Sequence, residues 1–339
     1  MISSRIHIFR KLVVTLKNVS FVVSSADYFL FTISPFVKRL EFRNLNFYSG
    51  WASATNLFPH FLPTLTHLHL CDITFNTFLD VTHTICAFPH LQSVEVVRVH
   101  WDSNAIHARK GDAVQYPVLP PFVHRIRWRD TPLHELLHWL LSHDKLPIVP
   151  HLDIGPVRER DVSSAGRYLF QVGPHLRHIT FSFCFGTYHD CALLSDPERR
   201  GDSLALRYKE VFGISTCHHI ALFTELRSLK IDDFVDCNSL SCNQRTPAFC
   251  APRVLASVRS PKLTRLILGI NLAKVGALDK HDVNWEFLDE TFASRPYETL
   301  EVIEFEVKGR VNVEGLKELI SSRLPYAAGR GLLKFHKAT

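Results

Sequence analysis

The sequence predicts an irregular α/β solenoid of about ten strand–helix units. Three observations predict it: a proline recurring two residues before an aliphatic position, an apolar triplet opened by that position, and helix-period runs between triplets. Pro35, Pro63, Pro89, Pro121, Pro147, Pro174 and Pro261 lead to Val37, Leu65, Leu91, Val123, Val149, Leu176 and Leu263. Each opener is followed by apolar residues three and five positions later, as in Leu65, Leu68, Leu70 or Leu263, Leu266, Leu268. Copies without proline at that spacing are Phe9, Leu12, Val14; Leu226, Leu229, Ile231; and Leu300, Ile303, Phe305. Recurrence at a short period marks an architecture in which each unit packs on its neighbours.

The ten openers are separated by 28, 28, 26, 32, 26, 27, 50, 37 and 37 residues. The first six steps lie near the range of leucine-rich repeats, roughly 20 to 29 residues. A three-then-two spacing suits a short strand whose last two apolar residues share one face. Between strands, Thr131-Pro132-Leu133 reads as a cap followed by proline at the first helical position. Leu133, Leu136, Leu137, Leu140 and Leu141 then follow a helical period, as do runs within 162–170, 287–293 and 313–324. The next proline ends each helix and biases the residue before it to extended backbone. The eighth position after the opener departs from the leucine-rich-repeat pattern, which has Asn or Cys there. It is Leu45, Ile73, Val99 and Phe234 in several copies, and only Cys184 and Asn271 conform. The 50-residue step leaves room for a hidden repeat or for a loop around 196–202.

Composition narrows the class. The chain is 46% hydrophobic and 21% charged, which fits a folded globular protein. A net charge of +6 without a dense Lys/Arg run does not suggest a nucleic-acid-binding tail. Arg10, Lys11 and Lys17 interrupt the apolar start, so no secretory signal is read there. No apolar stretch reaches the roughly 18 residues of a membrane span. Eight cysteines then point to a reducing compartment, cytoplasmic or nuclear.

The first residues, Ser3-Ser4-Arg5-Ile6-His7-Ile8-Phe9-Arg10-Lys11-Leu12, resemble the end of the F-box in fungal, basidiomycete-type F-box proteins. Ser34-Pro35-Phe36-Val37-Lys38-Arg39-Leu40, Leu62-Pro63-Thr64-Leu65 and Phe88-Pro89-His90-Leu91 resemble later segments of that family, and 324–335 its closing segment. The resemblance implies an F-box tail at 1–8, a leucine-rich-repeat-like solenoid at 9–335 and a tail at 336–339. It implies a substrate receptor of a Skp–cullin–F-box ubiquitin ligase, in which the F-box docks on the adaptor and the repeats hold a protein target. Relative to the family this sequence starts inside the F-box tail. Two expectations follow: a receptor truncated at its N-terminus, contacting a Skp-type adaptor only with an upstream F-box, or a repeat scaffold without ligase recruitment.

If the strands line a concave side, residues two, four and six after each opener project away from the core. These are Arg39, Glu41, Arg43; His67, His69, Cys71; Arg125, Arg127, Arg129; His151, Asp153; His178, Thr180, Ser182; Lys230, Asp232; and Glu304, Glu306. Three arginines on one strand suit an acidic or phosphorylated segment, because guanidinium pairs bidentately with carboxylate and phosphate. Solvated strand charge is the alternative reading. His134-Glu135-Leu136-Leu137-His138 spells the zinc-peptidase string, but the leucines of that helix turn both imidazoles outward and no extended motif follows. A zinc-dependent hydrolase is therefore the remote alternative. Cys217, His218, His219, Cys237, Cys242 and Cys250 lack the short Cys-x-x-Cys spacing of structural zinc sites. The five tryptophans read as packing residues. The expectation is a non-catalytic binding protein with no cofactor, no metal, and no nucleic-acid or membrane partner.

Overall fold

The computed structural model describes residues 12–16, 19–23, 37–47, 62, 64–101, 115–183, 219–236, 247–280 and 283–338. The residues of the expected F-box tail, 1–8, lie outside these. The chain forms two compact units, Met1–Val149 and Pro150–Thr339.

The first unit contains β1 (Leu12–Leu16), β2 (Val19–Val23), β3 (Arg39–Phe47), β4 (His67–Phe75), α1 (Phe78–Cys86), β5 (Ser93–Trp101), β6 (Arg125–Arg129) and α2 (Leu133–Leu141). Strands β3 to β6 are parallel and follow chain order. β1 is antiparallel to both β2 and β3. The triplet Leu12 and Val14 therefore marks a hairpin strand at the end of the sheet, not a first parallel repeat. The apolar spacing specifies a strand but carries no direction, so the two cases look alike in sequence.

Every described opener of this unit is buried: Val37, Leu65, Leu91 and Val123 are at most 4% exposed. The third and fifth positions, such as Leu68, Leu70, Val94, Val96, Ile126 and Trp128, are at most 2% exposed. Backbone bonds lock the register from one repeat to the next. The Lys38 carbonyl accepts from the N–H groups of Thr66 and His67, Thr66 accepts from Gln92 and Ser93, and Gln92 accepts from His124 and Arg125.

A second regularity explains the apolar eighth position. Asn44, Asp72, Arg98 and Asp130 each have φ between 50° and 55°, and each stands seven residues after its opener. One left-handed residue shifts the strand's alternation, as a bulge does, so that the eighth position turns back to the core. Leu45, Ile73 and Val99 are accordingly 0–1% exposed. Three of the four are Asn or Asp, the non-glycine residues that best tolerate this conformation. In the fourth copy the eighth position is Thr131, which donates to the Arg129 carbonyl and accepts from the Val99 N–H at 3.0 Å. Thr131 thus ties two strands together instead of capping α2, whose first turn has no side-chain cap.

Helix α1, which the apolar periodicity does not reveal, opens with a reciprocal cap. Thr77 Oγ1 accepts from the Asp80 N–H, and Asp80 accepts from the Thr77 N–H at 3.0 Å. Phe78 then sits among Trp101, Tyr116, Trp128 and Trp139, with ring centroids 5.0–6.4 Å apart. The buried indoles donate to backbone, Trp128 to Pro132 O and Trp139 to Pro117 O, as buried tryptophan requires.

The second unit contains β7 (His151–Val157), α3 (Val162–Val172), β8 (His178–Phe183), β9 (Ser228–Asp236), α4 (Pro247–Ala256), β10 (Arg265–Asn271), α5 (Trp285–Ala293), β11 (Val302–Lys308), α6 (Val313–Arg323), α7 (Pro325–Gly329) and β12 (Leu333–Lys337). Its described strand pairs, β7·β8 and β8 through β12, are parallel and in chain order. β8 pairs directly with β9, so the 50-residue step inserts no strand between them. Helices α3, α5 and α6 begin within two residues of the predicted runs. The Asp289 carboxylate on α5 accepts from the N–H groups of Tyr326 and Ala327 and so caps α7.

β12 is a repeat the opener pattern does not contain. At the opener position stands Arg330, whose guanidinium donates to the carbonyls of Tyr297, Glu298 and Leu300. The bulge recurs in β9, where Asp233 has φ 53° and the following Phe234 is buried. It is absent from the straight pairing of β10 with β11. Four parallel strands in the first unit and six in the second, with helices between, form an α/β leucine-rich-repeat-like solenoid.

Candidate functional site

In each unit one face of the strands buries the triplet residues and the other carries the alternate positions. In the first unit these alternate positions form three rows across β3, β4, β5 and β6. The rows are Arg39–His67–Ser93–Arg125, Glu41–His69–Glu95–Arg127 and Arg43–Cys71–Val97–Arg129, each in register. All nine residues selected from this unit by spacing lie there. Ser93 and Glu95 belong with them; the same spacing rule, counted from Leu91, points to both.

The middle row is charge-compensated. Arg127 Nη1 donates to Glu95 Oε1 at 2.7 Å. His69 Nδ1 is 3.4 Å from Glu41 and its Nε2 is 3.8 Å from Glu95. Arg43 Nε donates to the same Glu41 at 2.8 Å. The three arginines of β6 therefore share a face without forming a uniform cationic stripe, because Arg127 already holds a carboxylate.

The row nearest the strand starts holds no carboxylate and, unlike Arg43 of the third row, its arginines borrow none from the middle row. Arg39 and Arg125 are exposed, and among the described residues no acidic group pairs with either. His67 between them shares a 2.8 Å hydrogen bond with Thr66 Oγ1. Its pKa is lowered, first by burial and then by the positive charge of Arg39, with His124 and Arg125 adding to the effect.

Cys71 corrects the expectation that the sixth position projects freely, for it is 4% exposed. Its thiol donates to Asp72 Oδ2 and is pushed up to about 11, chiefly by burial. Asp72, at the bulge, accepts from Arg98 Nε at 2.5 Å and Nη2 at 2.9 Å. That bond, and to a lesser degree the thiol, brings its pKa down to about 2. Ser182 and Asp232 are likewise buried where outward projection was expected.

In the second unit the rows run His151–His178–Ser228–Arg265–Val302 and Asp153–Thr180–Lys230, the latter continuing through Ile267 and Glu304 to Lys334. His151 and His178 stack with centroids 4.2 Å apart. Arg265 makes a bidentate pair with Glu304 at 2.8 and 2.6 Å. Lys230 Nζ reaches Glu306 Oε2 at 2.5 Å and Asp232 at 3.3 Å. Gly269 lies on β10 between β9 and the Glu306 position of β11. A Cβ on Gly269 would come within 2.9 Å of the Asp233 nitrogen. Ile267, an apolar residue in an outer row, is 7% exposed.

His134 and His138 are exposed on α2, while Leu133, Leu136, Leu137, Trp139 and Leu140 are buried; Leu141 is half-buried where full burial was expected. The His138 ring lies 6.5 Å from that of Tyr116. Among the described residues no three His, Cys, Asp or Glu side chains converge on a metal position. Cys217, His218, Cys237 and Cys242 lie outside the described residues. Among the described residues no helix is long and apolar enough to cross a membrane.

No protein-family model matches this chain, and no curated protein matches it. Among solved structures it is similar to TLR13 in complex with ssRNA13, at 11% identity and a TM-score of 0.38, over 84% of this chain and 31% of that one. It is also similar to an internalin, inlF, from Listeria monocytogenes, at 11% identity and a TM-score of 0.36, over 95% of this chain and 71% of the other. The chain thus spans about a third of the length of the first.

Proposed function

We propose that this chain is a non-catalytic protein-interaction solenoid that holds a protein target on the outer face of its strands. The observation carrying this reading is the first unit's outer face, where five arginines and two glutamates stand in register on four adjacent strands. Exposed charge in fixed rows gives orientation and partner discrimination more readily than chemistry. Among the described residues neither exposed histidine of α2 joins a group of three His, Cys, Asp or Glu side chains.

The resemblance of the first residues and of the proline-led segments to F-box proteins supports a more specific role, target recognition for a Skp–cullin–F-box ubiquitin ligase. In that role the chain accelerates ubiquitin transfer by raising the local concentration of its target. The working compartment is then cytoplasmic or nuclear. Two experiments separate the levels of the proposal. A partner captured from the native source should be lost when outer-face charges are reversed and kept when exposed helix charges such as Glu286 and Lys317 are reversed. The opposite pattern refutes the binding face. Co-purification of a Skp-type adaptor supports the ligase role; its absence leaves an F-box-independent scaffold.

A further inference from the structure

The rows of the first unit's outer face are not equivalent, and the difference selects a ligand chemistry. Arg39 on β3 and Arg125 on β6 flank His67 on β4 and Ser93 on β5 in one register line. Three interstrand steps separate the two arginines by roughly 14 Å at Cα, a gap that two extended side chains close from opposite ends. Lys38 and His124, the residues just before β3 and β6, are also exposed. The line thus gathers guanidinium, imidazole and hydroxyl donors and no carboxylate.

We propose that the row Arg39–His67–Ser93–Arg125 is the seat of a single phosphate group carried by a phosphorylated serine or threonine of a partner protein. This rests on the outer-face binding reading above and deepens it. Two guanidinium groups match the charge of a phosphate dianion and can each bond it in a fork. Glu41 and Glu95 stand one row further along, roughly 7 Å away. They would repel a continuous polyanion crossing the face, so an isolated phosphate fits better than a nucleic-acid backbone, whose binding needs a long basic track.

His67 adds a signature. It faces Lys38, Arg39 and Glu41 from β3 and its approach, Ser93 and Glu95 from β5, and His124, Arg125 and Arg127 from β6 and its approach. Burial and the flanking cations disfavour its charged form in the free protein. A bound dianion reverses that field, so binding takes up a proton and strengthens as pH falls towards the ordinary histidine range.

The test uses the full chain and an immobilised peptide library with one fixed central phosphoserine and degenerate flanks, beside the same library with serine. Retention should be at least about tenfold greater on phosphoserine, the effect of one or two charge-assisted contacts. It should fall to the serine level in the Arg39→Gln/Arg125→Gln double variant, whose side chains make no bond in the described fold. It should rise from pH 7.5 to 6.5 in the wild type but not in His67→Asn. Equal retention on both libraries, insensitivity to the double variant, or displacement by mixed-sequence single-stranded RNA overturns the phosphate seat. If a captured partner depends on other outer-face residues but survives phosphatase treatment and the double variant, the phosphate seat falls and the binding face stands.

Discussion

The two units share one repeat and differ in what they build on its outer side. In both, the apolar openers from Val37 to Leu300 and their third and fifth followers are buried to within a few percent. In the first unit the outer rows carry five arginines against two glutamates, both in the middle row, and among the described residues Arg39 and Arg125 have no acidic partner. In the second the described outer rows hold Lys230, Arg265 and Lys334 against Asp153, Asp232, Glu304 and Glu306, with Lys230 and Arg265 closed onto carboxylates. The core positions are dictated by burial, worth roughly 1.5–3 kcal/mol for each large apolar side chain. The outer positions carry no such requirement and are free to specialise. Among the described residues the first unit leaves Arg39 and Arg125 exposed without an acidic partner, and the second uses its charges to link strands.

The largest expected effect breaks the shared part. Trp128→Ala in the first unit and Leu268→Ala in the second should each cost about 2–5 kcal/mol, read from denaturant midpoints. A cost below about 1 kcal/mol at either site would mean that the two units do not share one core rule. Next comes the backbone. Asp130→Val should destabilise by about 1–2 kcal/mol, because a β-branched residue is strained at φ 50°. Asp130→Gly should be close to neutral, and equal losses in both variants would remove the bulge from the account. Gly269→Ala, at the straight strand of the second unit, should instead destabilise by steric contact with the β9 backbone.

The smallest effect is electrostatic. Asp72 titrates near 2, below its ordinary range, so its contribution to stability is complete above about pH 4 and is lost as pH falls through 2. Arg98→Ala should return the Asp72 titration towards the ordinary carboxylate value in a carboxyl-resolved NMR experiment. No movement would show that the bidentate bond is not what holds it down.

How much of this could be read from sequence depended on burial. The openers from Val37 to Leu300 and their followers were legible because apolar residues recur only where water is excluded. Leu12 and Val14 fit the same spacing on an antiparallel strand, since apolar spacing does not encode direction. β12 escaped because Arg330 replaces an apolar opener with three hydrogen bonds to carbonyls. The bulge had a signal, Asn or Asp seven residues after the opener ahead of an apolar eighth, but its meaning depends on a φ that residue type only favours. Among site residues, the alternation rule placed Arg39, His67, Arg125 and their neighbours on one face. What it could not give was pairing. The neutralisation of Arg127 by Glu95, the burial of Cys71 and the absence of a carboxylate beside Arg39 and Arg125 all depend on which strands are adjacent.

The most direct test of the contrast between the units removes two outer cations from each and compares the losses. Arg39→Gln/Arg125→Gln and Arg265→Gln/Lys334→Gln would be measured for retention on the phosphoserine library, after circular dichroism confirms that both remain folded. The account predicts loss of phosphoserine selectivity in the first pair and retention within about twofold of wild type in the second. Equal losses, or loss only in the second pair, would contradict it.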